Sequence, residues 1–226
     1  MSNTVTSTAG MGVGRAVPAL VGAAGFVLVY LISGPISSSF ATSTAPQPNV
    51  SGEETRAWLI ENTMASAVQA ILMLVSVAFL ALFVASVAAI TRSADGPARR
   101  WSIAAGTAAV AGIVISSVLS LVLGGLVAGL SPDAVVAFRT ANFIAGGTAH
   151  VALLGLFALA ASRIPGMSKP VRIFAIVVAV IAVGSLASLA IYYASILILA
   201  GRLLGMAWCV AAAISLARRL KHFPPA

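Results

Sequence analysis

Long apolar runs separated by short clusters of charge set the pattern of this chain. A helix needs about 20 residues, at roughly 1.5 Å each, to cross about 30 Å of hydrocarbon, and inside lipid every backbone polar group must be paired within its own segment. The gaps between charges are therefore read as membrane spans. Residues 17–32 are the apolar part of the first gap, followed over 35–52 by a polar, proline-containing loop. Between Arg56 and Arg92 the single interruption is Glu61. A continuous helix there would be about 52 Å long, so its start is expected to project into the headgroups. Residues 101–130 carry no charge, and 134–162 carry only Arg139 near their beginning. Residues 173–217 hold one charge, Arg202, and as a single helix would measure about 67 Å, twice the hydrocarbon thickness. They must turn back once. Without a Pro or Gly between Leu189 and Ala200, the turn is expected just after Tyr192 and Tyr193, a pair suited to the interfacial belt.

The pattern predicts an all-α polytopic membrane bundle of six helices, at about 16–36, 57–90, 101–130, 134–162, 172–193 and 196–218. These fall within a transmembrane domain over 15–221. A Ser-, Thr- and Gly-rich lead over 1–14, expected to be disordered, precedes it, and a short tail over 222–226 follows.

Orientation follows from Lys and Arg in short loops, which favour the cytoplasmic side. With the N terminus inside, Arg15, Arg92, Arg99, Arg100, Arg163, Lys169, Arg172, Arg218, Arg219 and Lys221 are all cytoplasmic, ten of the thirteen basic residues. Arg56, Arg139 and Arg202 stay on the outer side with Glu53, Glu54, Glu61 and Asp133, and Asp95 alone among the acids lies inside. Six helices with both termini cytoplasmic fit this distribution. The competing reading treats Arg15, the first apolar run and the segment SSSFA as a signal peptide cleaved after Ala41, which leaves five helices. A single positive charge and a long neutral lead argue against it.

Composition narrows the class further. Of 226 residues, 60% are hydrophobic and 8% charged, and mean hydropathy is +1.08. Ordinary soluble domains carry about 25% charged residues, so a soluble globular domain is excluded. The net charge of +8 sits between apolar runs and reads as topology, with no nucleic acid as partner. Eleven Arg against two Lys, with heavy use of Ala, Val and Gly, point to a GC-rich bacterial genome, hence a bacterial cytoplasmic membrane. The single cysteine, Cys209, allows neither an intrachain disulfide nor a cysteine metal site.

Familiar intramembrane chemistries lack their residues. A rhomboid-type protease needs a G-x-S-G nucleophile, and Gly184-Ser185-Leu186 is not that arrangement. A retinal protein needs a lysine within a helix, whereas Lys169 and Lys221 both fall in cytoplasmic segments. Bis-histidine haem needs two histidines in the membrane, and His222 is in the tail. Phosphate-cradling glycine loops, metal-binding histidine motifs and paired carboxylates are missing too. No cofactor or metal is expected, and an enzyme is the least favoured class.

Polar groups inside a span are costly and tend to face the protein interior or a water-filled cavity. On the fourth helix Arg139, Asn142, Gly146 and His150 follow at steps of three and four and share one face. The second helix offers Asn62, Ser66, Gln69 and Ser76, with Glu61 at their flank. The fifth offers Ser185, Ser188, Tyr192 and Ser195, and the sixth Arg202, Gly205 and Cys209. Serine and glycine at such spacing ordinarily serve packing and interhelical hydrogen bonds. Two small-xxx-small pairs, Gly125 with Gly129 and Gly201 with Gly205, mark further candidate close contacts.

From these faces the candidate solute or ion site comprises Glu61, Gln69, Arg139, Asn142, His150 and Arg202, with Glu61 expected to pair with one of the two arginines. His150, near the bilayer midplane, is the side chain able to couple protonation to binding or gating. Two functions compete. One is transport or binding of a small polar or anionic solute through the polar faces of helices 2, 4, 5 and 6. The other is a structural or regulatory subunit that packs within the membrane against a partner protein or a second copy. Against transport, no inverted repeat or broken helix is evident in the sequence. In both readings the lipid bilayer is the immediate partner, and short basic loops can attract anionic headgroups.

Overall fold

The computed structural model describes residues 9–46, 50–92 and 96–222. The described residues are helical and connecting segments, without a strand. The helices are α1 (Ala9–Ser38), α2 (Gly52–Glu61), α3 (Thr63–Ile90), α4 (Pro97–Leu126), α5 (Pro132–Asn142), α6 (His150–Ser162), α7 (Lys169–Gly184) and α8 (Ile196–His222), and a π-helical segment, Phe143–Ala149, joins α5 to α6. Among the described residues six segments are long and apolar enough to cross a membrane: Ala16–Ser38, Thr63–Ile90, Pro97–Gly129, Pro132–Ser162, Lys169–Leu189 and Tyr193–Arg219.

Three local details depart from the sequence expectation. First, the helix expected over 57–90 is two. Asn62 leaves helical geometry at φ −117° and ψ 31°, and its side chain takes over backbone bonding. Its Oδ1 accepts from the Thr42 backbone N–H at 2.7 Å and from Thr42 Oγ1, while Nδ2 donates to the Trp58 carbonyl at 3.0 Å. Asparagine is prone to this competition with the helix ladder. Second, the reversal between α7 and α8 comes before the tyrosine pair, not after it. Two 3₁₀ segments, Ser185–Leu189 and Tyr192–Ser195, flank an extended Ile191 at φ −127°, which reverses the chain without Gly or Pro. Third, α1 starts at Ala9, inside the stretch whose composition suggested disorder; residues 1–8 lie outside the described residues.

Charge divides the bundle into two ends. Arg92, Arg99, Arg100, Arg163, Lys169, Arg172, Arg218 and Arg219 all belong to one end. There Arg219 donates to the Pro165 carbonyl, Arg99 Nη2 to the Ala88 carbonyl, and the Ser168 N–H to Ser215 Oγ. Exposed Glu53, Glu54, Glu61 and Asp133 occupy the opposite, acidic end. Asp95 lies outside the described residues.

Toward the basic end aromatic rings occupy the space between α3, α6 and α8. Phe83, Phe157 and Trp208, all essentially fully buried, meet edge to face with ring centroids 5.7–6.5 Å apart. This geometry aligns ring edges with ring faces, and the Trp208 indole N–H donates to the Val171 carbonyl at 3.2 Å. Of the two small-residue pairs, only one is a helix contact. A Cβ at Gly201 would lie 2.8 Å from Val151 and 3.0 Å from Ala182, and one at Gly205 would lie 2.6 Å from Leu154. Gly125 and Gly129 face open space.

Candidate functional site

The polar groups of the spans converge in the half of the bundle nearer the acidic end. Arg202 lies on α8 about 14 Å along the span that starts at Tyr193, at 1.5 Å per residue. Its guanidinium donates to the Tyr30 hydroxyl at 3.2 Å and to the Gly146 carbonyl, and sits 5.4 Å from the centre of the Tyr30 ring. Its Nε is buried and has no hydrogen-bond partner among the described residues. The Gly146 carbonyl belongs to the π-helical segment, whose wider turn departs from the α-helical hydrogen-bond register; such insertions often mark functional sites.

Around Arg202 a cavity of about 680 Å³ opens between α1, α3, α4, the π segment and α8. Its polar wall includes Tyr30, Ser33, Gln69, Ser116, Ser120 and Asn142. These side chains hold one another in place. Ser37 Oγ donates to Gln69 Oε1 at 2.8 Å, and Gln69 Nε2 donates to Ser33 Oγ at 3.3 Å, tying α1 to α3. Ser116 Oγ donates to Asn142 Oδ1 at 2.7 Å, while Asn142 Nδ2 donates to the Ser116 carbonyl at 3.1 Å and to Ser120 Oγ. Asn142 thus spends both ends of its amide on α4.

A second cavity, of about 650 Å³, lies nearer the acidic end and shares Ser120, Asn142 and Phe143 with the first as a partition. Arg139 lines it and donates to Thr55 Oγ1 at 2.6 Å. Arg56, on α2, caps the neighbouring 3₁₀ turn through the carbonyls of Val127 and Ala128. Among the described residues every hydrogen-bond partner of Arg56, Arg139 and Arg202 is neutral.

Four of the six sequence-nominated residues therefore line these two cavities: Gln69 and Arg202 the inner, Arg139 the outer, Asn142 both. Glu61 does not join them. It is exposed at the junction of α2 and α3, where the break at Asn62 ends the continuous helix from which its position was inferred, and it pairs with neither arginine. His150 is fully buried and outside both cavities. Its Nδ1–H donates to the Ala109 carbonyl of α4 at 2.8 Å, and Nε2 has no hydrogen-bond partner. The stripe of Asn142, Gly146 and His150 packs on α4 along its length, since a Cβ at Gly146 would strike Ser116 and one at Gly112 would lie 3.2 Å from His150.

Tyr30 and the serines of α1 and α4 were missed by the sequence reading, which took polar faces only from the second, fourth, fifth and sixth helices. A signal was present: Ser33 and Ser37, and Ser116 and Ser120, are each four residues apart, one helical turn. The polar face of the fifth helix is instead divided. Ser185 bonds its own helix at the Ala182 carbonyl, and Ser188 shares a hydrogen bond with Thr148 at 3.2 Å. Among the described residues no group of three or more His, Cys, Asp or Glu is placed to hold a metal ion. No protein-family model, curated protein or solved structure matches this chain.

Proposed function

We infer that this chain is a multi-pass membrane protein that binds a small anionic or polar solute in the cavity beside Arg202, as a transport or ligand-binding unit. The observation that carries this reading is a guanidinium inside the bundle whose partners among the described residues are all neutral. A cation within a span is costly and needs compensation. An anionic group accepting from Arg202 supplies it, with charge-assisted hydrogen bonds stronger than those to neutral acceptors. Asn142, Gln69 and Tyr30 add polar contacts that orient the solute, and Arg139 in the outer cavity adds to the positive potential that draws anions to this half of the bundle. Bacterial composition and the basic loops support a place in the cytoplasmic membrane with the basic end and both termini inside.

The reading is one of binding first. The aromatic cluster of Phe83, Phe157 and Trp208, none of which lines the cavity, packs α3, α6 and α8 together toward the basic end. Movement of a solute to the basic end would require those packed helices to separate. The assembly reading has one observation on its side: α4 and the turn after it, Pro97–Gly129, form the least buried span, 28% against 50% for Pro132–Ser162. Lipid covers such a face as well as a protein does.

The test is thermal unfolding of the purified protein in phosphatidylcholine nanodiscs with matched series of anions and organic cations. A ligand that binds only the folded state raises the unfolding temperature. Anions as a class should stabilise the wild-type protein, cations should not, and R202Q should lose the difference. Equal responses to both signs of charge would refute the reading.

A further inference from the structure

The inner cavity is two-sided. Opposite the polar wall stand Leu31 of α1 and Leu199 and Leu203 of α8, 51%, 49% and 42% exposed on the outside of the bundle. Leu199 and Leu203 are one helical turn apart and bracket Arg202, while Leu31 is the chain neighbour of Tyr30. The cavity therefore opens sideways, between α1 and α8, on the face that the hydrocarbon of a bilayer would cover. Toward the acidic end it is partitioned from the outer cavity by Ser120, Asn142 and Phe143, and the amide of Asn142 is bonded across that partition.

A water-soluble anion coming through the outer cavity must pass this bonded partition. A molecule already dissolved in the bilayer need not. We propose that the ligand of the Arg202 cavity is a single-chain amphiphile with an anionic head, entering from the lipid between α1 and α8. The head accepts from the Nη hydrogens of Arg202 left over by the bonds to Tyr30 and Gly146; among the described residues those two neutral oxygens are the guanidinium's hydrogen-bond partners, and its buried Nε has none. Tyr30 and the serines around it meet the polar part of the head, and the chain lies along Leu31, Leu199 and Leu203. The volume, about 680 Å³, falls in the range of roughly 300–1,000 Å³ usual for small-molecule sites. Arg202 stands well below the end of its span, so an anion there is sheltered from water and its interaction with the guanidinium is strengthened.

This inference rests on the anion-binding reading and narrows it to one chemical class. It is tested with photoactivatable dodecanoate in phosphatidylcholine nanodiscs, mapping the labelled residues and competing with unlabelled dodecanoate, acetate, inorganic phosphate and dodecyltrimethylammonium. Labelling should concentrate on α1 and α8 near Leu31, Leu199 and Leu203. Dodecanoate should compete, and acetate, phosphate and the cationic amphiphile should not. R202Q should weaken binding about tenfold or more, the loss of one charge-assisted hydrogen bond, with R202K retaining part of it. L203W, at a lipid-facing position that tolerates a large apolar side chain, should narrow the entrance and slow labelling while leaving the unfolding temperature unchanged. Competition by acetate or phosphate as strong as by dodecanoate, with L203W silent, would overturn the amphiphile and leave the anion site standing. Competition by the cationic amphiphile, or full binding by a folded R202Q, would overturn both.

Discussion

The two halves of the bundle use their buried polar atoms differently. Toward the acidic end, side chains bond one another across helices, Ser37 with Gln69, Gln69 with Ser33, Ser116 and Ser120 with Asn142, Tyr30 with Arg202, even though the Ser33 and Ser37 hydroxyls also reach carbonyls of their own helix. Toward the basic end, buried hydroxyls mostly return to their own helix, as Ser86 does to Leu82, Thr91 to Val87 and Ser162 to Leu159, and aromatic rings fill the space between helices. Polar residues thus have distinct physical uses in one bundle. A hydroxyl that folds back on its own helix needs nothing from its neighbours, whereas the cross-helix set keeps surfaces apart and leaves cavities that close packing would fill.

That contrast is broken most severely at the aromatic cluster. Phe83→Ala or Trp208→Ala should destabilise the fold by about 3–5 kcal/mol, the usual range for deleting a buried aromatic, read as reversible unfolding in detergent. The glycine pairs sharpen it at the level of helix contacts. Gly205→Leu drives a side chain into Leu154 and should cost about 1–3 kcal/mol. Gly125→Ala, facing open space, should stay within about 0.5 kcal/mol of wild type in the same assay.

How much of this was legible in the sequence depends on which interaction governs each element. Charge-free runs near 20 residues or longer leave few alternatives to a span, and the structure has six helices of that kind where the runs predicted them. Breaks were harder to place. Nothing in a hydropathy pattern shows that the Asn62 amide will satisfy Thr42 and end one helix before the next begins, because the partner is 20 positions away. The reversal before Tyr192 was equally hidden, since 3₁₀ segments need no Gly or Pro. Periodicity on single helices nominated Arg139, Asn142, Gln69 and Arg202, but it could not show which helix each one faces. Tyr30 is the clearest example: an aromatic in an apolar run looks like core or interface, and only the approach of α8 to α1 puts its hydroxyl beside a guanidinium.

Smaller effects separate positions inside the polar half from the boundary below it. Asn142→Ala removes the bonds to Ser116 and Ser120 and should cost about 1–2 kcal/mol, at roughly 1 kcal/mol or less per interhelical bond. The same change should open the partition and raise access of soluble anions to Arg202, so stability and selectivity move together. His150→Leu should cost about 1 kcal/mol or less through the lost bond to Ala109 and leave anion binding and its pH profile unchanged, because the imidazole lines neither cavity. A pH profile that changes in this variant would return His150 to the site.

The central claim is that the polar half is a cationic space selective for anions, whose outer cavity is open to solutes from the acidic end as far as the partition at Ser120 and Asn142. Ser120 lies on the partition between the two cavities, and Ser76, fully buried, bonds the Phe26 carbonyl of α1 outside both. The direct measurement is the reaction of Ser120→Cys and Ser76→Cys, each in a C209A background, with negatively and positively charged methanethiosulfonates added to one side of sealed vesicles. Rates are divided by those for a free thiol. The prediction is that Ser120→Cys reacts from the acidic-end side, faster with the negative reagent, that R139Q reduces this preference, and that Ser76→Cys does not react. Preference for the positive reagent, or equal reaction of the two cysteines, would contradict the claim.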